Sequence, residues 1–192
     1  MNESLVDEEL NALCTNNKLR TMLKELRNNE GINELLAKCN DYMIGRLNYT
    51  DHGRVHAKIV TLNALKLLIM LKSKIKPTIM QEHDGSFIDA QVAVLISAWL
   101  HDVGCSITRK NHEIIGVFKA QSFIKELLNK VYEKKKKITA LTTYIEEGIL
   151  CHLGTHSATS VEASVVSVAD GTDITKGRAR LSYLLKPDIH DY

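Results

Sequence analysis

Two adjacent polar residues, His101 and Asp102, end the most apolar segment of the chain, residues 92–100. Burying an imidazole and a carboxylate there without partners would cost several kcal/mol. A metal ion removes that cost, because it binds neutral imidazole nitrogen and carboxylate oxygen together. Neighbouring helical residues point about 100° apart, so both reach one ion only where the helix ends, and Gly104 permits that turn. The pair is therefore a candidate metal site.

Two further side chains complete a candidate ligand set. His56 stands on a long amphipathic helix, away from its lysines, and Asp170 closes the apolar sequence VVSVAD. Two histidines and two carboxylates suit Mn, Fe, Co, Ni, Zn or Mg and leave positions open for water and substrate. The sequence therefore predicts a divalent metal ion bound by His56, His101, Asp102 and Asp170.

Other residues of the same types are interpreted as structural. The pairs His83-Asp84 and His190-Asp191 stand in loop-like or terminal sequence, where solvated side chains are expected. The four cysteines are scattered without a CxxC pair, which indicates reduced thiols and neither a zinc ribbon nor a thioredoxin-type site. Cys105 and Cys151 lie beside histidines, but we expect them to be small buried residues rather than ligands.

The elements that must position these residues are helices. Apolar residues recur at three- and four-residue steps, only two prolines occur, and no convincing set of strands is readable. This pattern predicts an all-α fold of about seven helices, with the metal site between the central ones. Residues 89–100 are apolar on nearly all sides and are predicted to form a buried central helix. The other predicted helices are one or two polar ones in residues 3–30, then 32–47, 52–74, 111–133, 139–151 and 160–173.

The predicted helices suggest how the chain is organised. Residues 1–31 have sparse apolar positions and are predicted to be an N-terminal helical appendage to a domain formed by residues 32–192. Residues 76–87 hold a proline and a glycine and are predicted to be a loop. The basic run 134–137 is predicted to close the C-terminus of the helix before it, where cations suit the helix macrodipole.

Composition excludes several function classes. The formal charge is only +2, so no large cationic field favours nucleic-acid binding as the main role. The N-terminus, MNESLVDEEL, has no basic region followed by an apolar one, so a secretory signal is not expected. The longest apolar run is far shorter than the ~20 residues of a membrane span. We expect a cytoplasmic protein without a membrane segment, and a homodimer stays open as its assembly.

The order of these motifs resembles the HD-domain superfamily of metal-dependent phosphohydrolases. The segments that carry the resemblance are YTDHGRVHAKIV, WLHDVG, NHEIIGV, an isolated histidine and VADGTDITKGRAR, over roughly residues 48–180. The resemblance implies that His56 is the leading histidine of the superfamily, His101-Asp102 the pair that gives it its name, and Asp170 its closing aspartate. It also implies an all-α fold with the metal held between these helices.

Binuclear members of that superfamily place two extra histidines between the His-Asp pair and the last aspartate. His112 and His152 stand where those would fall, and Asp102 would then bridge two metals. His156 competes with His152, because residues four apart share a helical face. Gly154 can end the helix between them, and we favour His152.

Three nearby residues have two interpretations each. His52 either supports the site or caps the helix start with Asp51. Glu113 is a ligand-orienting residue or base, or else an exposed helix residue. Asp173 orients a ligand or pairs with Lys176.

The expected function is a metal-dependent phosphohydrolase that uses metal-activated water on a phosphomonoester, nucleotide or phosphodiester. Asp102 and His112 belong to its expected catalytic set, and Lys176 and Arg178 are its candidate phosphate-binding cations. The alternative for these two cations, and for Arg180, is a solvated loop. Two other functions stay open. One is a binuclear-iron oxygenase of the same superfamily, and the other is a non-catalytic regulatory module that binds a metal or ligand.

Overall fold

The computed structural model describes residues 3–174, and within that range the chain forms nine α-helices, one short 3-10 helix and no strand. The predicted all-α fold is therefore confirmed. The 3-10 helix spans Val103–Ser106. The α-helices, in chain order, are α1 (Glu3–Leu13), α2 (Asn17–Asn28), α3 (Glu30–Met43), α4 (Arg54–Leu71), α5 (Thr78–Glu82), α6 (Phe87–Leu100), α7 (His112–Asn129), α8 (Lys135–Cys151) and α9 (Val161–Gly171).

Helix α6 is the centre of the fold, as its sequence predicts. Helices α2, α4, α8 and α9 pack around it, and every residue from Asp89 to Leu100 is buried. A capping box fixes its start, because the Ser86 hydroxyl accepts the Asp89 N–H and the Asp89 carboxylate accepts the Ser86 N–H. The segment Phe87–Ser106 has the length and hydropathy of a membrane span, but 89% of its most apolar window is buried inside the protein.

The two N-terminal helices pack onto the rest of the fold. Helix α1 lies against α4, and α2 lies against α6. Their apolar side chains belong to the same core cluster as the central helix, namely Val6, Leu10, Cys14, Leu19, Met22, Leu23 and Leu26. The first thirty residues therefore share their core with the predicted metal-binding domain, and no separate core marks the predicted boundary at residue 31.

A buried lysine joins α1 to α4. Lys58 is 1% exposed, and its ammonium lies 2.7 Å from Glu3 Oε1 and 2.7 Å from Asp7 Oδ2. A buried ammonium is costly unless it is paired, so these two carboxylates hold α1 against the helix that carries His56.

The segment predicted as a loop contains a helix, so that prediction is wrong for residues 78–82. Helix α5 occupies them, and its first amide groups bond outside the segment. The Glu162 carboxylate of α9 accepts the N–H groups of Thr78 and Ile79, at 3.1 Å each. A distant residue thus satisfies the helix N-terminus, which the local sequence could not indicate.

The basic run 134–137 lies at the start of α8, so its predicted position at a helix C-terminus is wrong. Helix α7 already ends at Asn129, and Lys134 is the N-cap of α8. Cations at a helix N-terminus oppose the macrodipole. An ion pair compensates, because Lys137 Nζ lies 3.2 Å from Oδ2 of the buried Asp89.

Candidate metal centre

The end of helix α6 holds its two polar residues in fixed positions. His101 is the C-cap of α6, and its Nδ1–H donates to the Ala98 carbonyl oxygen at 2.7 Å. A carbonyl can only accept, so the neutral ring presents an unprotonated Nε2. Asp102 follows at φ −96° and ψ 2°, in the bridge region of backbone conformation. Both side chains therefore turn into the same buried space, as the sequence predicts.

His56 of α4 faces His101 across that space. Its Nδ1–H donates to Asp173 Oδ2 at 2.7 Å, which leaves Nε2 as the acceptor atom of a neutral ring. The Nε2 atoms of His56 and His101 are only 3.0 Å apart. Two lone pairs repel at this distance, and a proton or a metal ion held between the two nitrogens would relieve the repulsion.

A second pair of histidines repeats this arrangement. His112 Nδ1 lies 2.9 Å from the Arg109 carbonyl oxygen, and His152 Nδ1 lies 2.7 Å from the Ile149 carbonyl oxygen. Their Nε2 atoms are 3.1 Å apart. His112 begins α7 and His152 ends α8, so two helix termini meet at this point.

Asp102 lies between the two histidine pairs. Its Oδ2 is 3.4 Å from His56 Nε2 and 3.2 Å from His101 Nε2. Its Oδ1 is 3.1 Å from His112 Nε2 and 3.5 Å from His152 Nε2. Oδ2 is buried and has no hydrogen-bond partner in the part of the chain that is described. One carboxylate thus presents one oxygen to each pair.

Asp170 completes the first pair. Its Oδ1 lies 3.1 Å from His56 Nε2 and 3.7 Å from His101 Nε2. Burial raises the pKa of the Asp170 carboxyl, but the bond from the protonated form of His56 and the positive charge of the protonated form of His101 outweigh burial and lower the pKa. The pKa of Asp102 is likewise held well below its usual range, because the positive charges of the protonated forms of His101 and His52 outweigh the effect of burial. Both carboxylates are therefore anionic at neutral pH.

The donor set fits a divalent metal ion. Two ligands about 2.1 Å from one ion and at right angles to each other are about 3.0 Å apart, which matches both Nε2 pairs. Imidazole with carboxylate suits Mn, Fe, Co, Ni or Zn. Two triads made of histidine and aspartate alone have ligand atoms close enough together to share an ion, His56 with His101 and Asp170, and His101 with Asp102 and His152. A third triad contains Cys105. A cation would also satisfy the unpartnered oxygen of Asp102.

The structure separates His152 from His156. His152 is 2% exposed and belongs to the cluster, whereas His156 is exposed and lies near Thr155 Oγ1. Gly154 adopts φ 75°, a conformation that ends the helix before His156. Of the two histidines, only His152 is brought together with Asp102.

Three neighbouring residues with two interpretations each are now placed. Asp173 Oδ2 accepts a hydrogen bond from His56 Nδ1 at 2.7 Å, and its alternative partner Lys176 lies outside the described residues. His52 is buried, and its Nδ1 lies 2.7 Å from the Thr50 carbonyl oxygen. The interpretation of Glu113 as an exposed residue is wrong, because it is 3% exposed and its Oε1 accepts the Thr155 hydroxyl at 3.1 Å. Its Oε2 lies 3.8 Å from His112 Nδ1.

The cysteines beside the histidines are buried, as the sequence predicts. Cys105 Sγ lies 3.7 Å from Asp102 Oδ1. Burial raises the pKa of this thiol, and the negative charge of Asp102 raises it further.

Sequence reasoning missed one regular feature of the site. The Nδ1 atoms of His101, His112 and His152 each face the backbone carbonyl oxygen three residues earlier. That spacing is a local signal, since a histidine at a helix end can reach the carbonyl of the preceding turn. The candidate phosphate-binding residues Lys176 and Arg178, with Arg180 and His190, lie outside the described residues.

The fold and the site together define an all-helical protein with a buried cluster of histidines and aspartates that could hold a metal ion. No family model and no solved structure matches the chain. A protein of Methanocaldococcus jannaschii, named "Uncharacterized protein MJ1020", is 40% identical over 185 residues, which cover 95% of this chain and 70% of that protein. The chain belongs to the family of this archaeal protein.

Proposed function

We propose that the protein is a metal-dependent phosphohydrolase of the HD-domain superfamily, acting on a phosphomonoester, nucleotide or phosphodiester. The observation that carries the proposal is the pair of Nε2–Nε2 contacts, 3.0 Å and 3.1 Å, on either side of one carboxylate. When bound, a divalent ion would lower the pKa of a coordinated water from 15.7 towards ~7 and polarise a phosphoryl oxygen.

The chain's own residues prepare that chemistry. Asp173 and the Ala98 carbonyl hold His56 and His101 in the tautomer that presents Nε2. Asp102 is buried and anionic, so it attracts cations in a region where charges are poorly screened by solvent. The open coordination positions of such a ligand set are where a phosphate oxygen and a water would bind.

The test is elemental analysis of purified protein, followed by hydrolysis assays on phosphomonoesters, phosphodiesters and nucleotides. We expect at least one transition metal per chain and phosphate-ester turnover that is lost on chelation and recovered on adding the metal. His152→Ala should lower metal content or turnover. His156→Ala is the matched control, because the same residue type stands four positions away and is exposed. Full turnover by metal-free protein would refute the proposal.

A second candidate is a binuclear-iron oxygenase, and one observation favours it. The second histidine pair, His112 and His152, shares Asp102 with the first pair. A carboxylate shared by two such pairs suits two ions close together. Two irons per chain, with oxygen uptake on adding a polyol or phosphonate and no phosphate release from esters, would support the oxygenase and exclude the hydrolase.

A cytoplasmic location belongs to the same proposal. All four cysteines are free and buried, and free thiols are typical of proteins from reducing compartments.

A further inference from the structure

Two thiols contact Asp102 from different parts of the fold. Cys39 Sγ lies 3.2 Å from the Asp102 carbonyl oxygen, and Cys105 Sγ lies 3.7 Å from the Asp102 Oδ1 atom. Both cysteines are 0% exposed. A thiol is a hydrogen-bond donor and both Asp102 atoms are acceptors, so the two contacts are S–H···O bonds.

The backbone strengthens this arrangement. The Cys105 N–H also donates to the Asp102 carbonyl oxygen, at 2.8 Å. Cys105 therefore donates two hydrogen bonds to Asp102, and Cys39 of helix α3 donates a third. Together with Met43 the two cysteines form a small apolar cluster, distinct from the main core and flanked by Tyr42, Leu47 and Tyr49.

We propose that Cys39 and Cys105 are positioning residues of the metal centre, which hold the Asp102 carboxylate so that each oxygen faces one histidine pair. The inference rests on the proposed metal centre. Rotation of the carboxylate would move Oδ1 away from His112 Nε2, from which it now lies 3.1 Å. The Cys105 bond to Oδ1 opposes that rotation, and Cys39 keeps the backbone of Asp102 in place.

A thiol suits this position better than a hydroxyl or a water. It is a weak donor, so it orients Oδ1 while leaving that oxygen enough negative charge to bind a cation. It also packs as a small apolar group, which matches the cluster with Met43. Each thiol therefore packs among apolar side chains and at the same time helps to orient the Asp102 carboxylate.

The competing role is direct ligation by Cys105, because its sulfur lies with Asp102 and His112 in a group whose ligand atoms are within 4.8 Å of one another. Cobalt(II) distinguishes the two roles, since a thiolate ligand gives an intense sulfur-to-cobalt charge-transfer band. We expect the cobalt-loaded wild-type protein to lack that band. Its presence, together with its loss in Cys105→Ser, would overturn the positioning role.

The experiment measures cobalt and manganese affinity of the full chain by competition with a chelator. Cys105→Ala and Cys39→Ala should each weaken binding about ten- to a hundredfold, as the loss of groups that orient ligands does. Cys105→Ser and Cys39→Ser retain a donor and should bind metal more tightly than the alanine variants. Cys14→Ala is the matched control, because Cys14 is an equally buried thiol in the main core, and its affinity should not change.

The outcomes separate this inference from the proposed function. Wild-type protein that binds no metal would overturn both. Wild-type protein that binds metal, with alanine variants of equal affinity, would overturn the positioning role alone. Unfolding curves of the metal-free proteins show whether each alanine variant folds. If one does not fold, a measurement on the wild-type protein tests the inference instead. In the infrared spectrum of the wild-type protein, the hydrogen-bonded S–H groups of Cys39 and Cys105 should absorb at a lower frequency than the S–H group of Cys14. A spectrum without these lower-frequency bands would overturn the inference.

Discussion

Replacement of Asp102 by asparagine removes the charge at the centre of the cluster with little change in shape. The carboxylate lies within 3.5 Å of all four Nε2 atoms, at 3.4, 3.2, 3.1 and 3.5 Å. An amide nitrogen in its place can donate a hydrogen bond to a ring nitrogen, so the metal-free variant should stay folded. Because neither histidine pair keeps its shared carboxylate, we expect Asp102→Asn to lose the stabilisation that metal gives the wild type.

The size of that stabilisation follows from binding linkage. A ligand that binds only the folded protein adds about 2.7 kcal/mol to the free energy of unfolding at about a hundredfold excess over its Kd. In a chain of 192 residues, each kcal/mol raises Tm by about 2–4 °C. The wild type should therefore gain about 5–11 °C on adding metal, and Asp102→Asn should gain close to nothing.

The assay is thermal unfolding of chelator-treated protein with and without added manganese, cobalt or zinc. Asp84→Asn is the matched control, because it makes the same change in the other His-Asp pair within the described range, where Asp84 is exposed. Asp84 has φ 47°, and asparagine tolerates that conformation. A wild-type Tm shift in Asp102→Asn would refute the role of the shared carboxylate.

Three further changes test the fold around the site. Gly104→Ala should cost at least about 1–3 kcal/mol of stability, measured by urea unfolding, because the new Cβ would overlap the His112 carbonyl oxygen and lie 2.6 Å from a backbone nitrogen of α7. Asp7→Ala should cost about 3 kcal/mol in the same assay, since it leaves buried Lys58 with one carboxylate fewer. Burial raises the pKa of Asp89, but bonds from neighbouring groups outweigh it and hold the pKa below 3.8. The stability that Asp89 contributes is complete above about pH 4 and is lost as the pH falls through the pKa of Asp89 in the folded protein. The difference in free energy of unfolding between wild type and Asp89→Asn should therefore become smaller on acidification.

Each of these changes has a control or a contrary outcome. Gly171→Ala should be tolerated, because no atom of the described residues lies within 4 Å of a Cβ there. Glu9→Gln breaks a partly exposed pair with Lys66 and should cost less than about 1 kcal/mol. If Asp7→Ala lowers the free energy of unfolding no more than Glu9→Gln does, the ion pair between Asp7 and buried Lys58 does not hold α1 in place. If the difference in free energy of unfolding between wild type and Asp89→Asn does not change with pH, the lowered pKa of Asp89 is refuted.

The sequence was sufficient to predict the core of the site, because its signals are local. His101 and Asp102 end an apolar helix, and that position alone requires partners for both. The contacts that hold Asp102 and His56 in place are not local, since Cys39 lies 63 residues from Asp102 and Asp173 lies 117 residues from His56. No helical period relates such residues, so only the folded chain brings them together.

The choice between His152 and His156 shows the limit of periodicity. The two residues share a face only while the helix continues, and the left-handed turn at Gly154 interrupts it. The N-terminal helices show a different limit. Their apolar positions are few, yet Leu10, Met22 and Leu26 are completely buried. Sparse apolar residues can thus fill a shared core that a count of them does not suggest.

The two nitrogens of each histidine ring have separate tasks. In His101 and His152, Nδ1 bonds a carbonyl in the last turn of the ring's own helix, where backbone acceptors lack intrahelical partners. The ring therefore closes the helix end with one nitrogen while the other faces the cluster. These two bonds orient the rings from within the protein. An incoming cation would meet rings already oriented, in contrast to zinc fingers, in which binding and folding are one event.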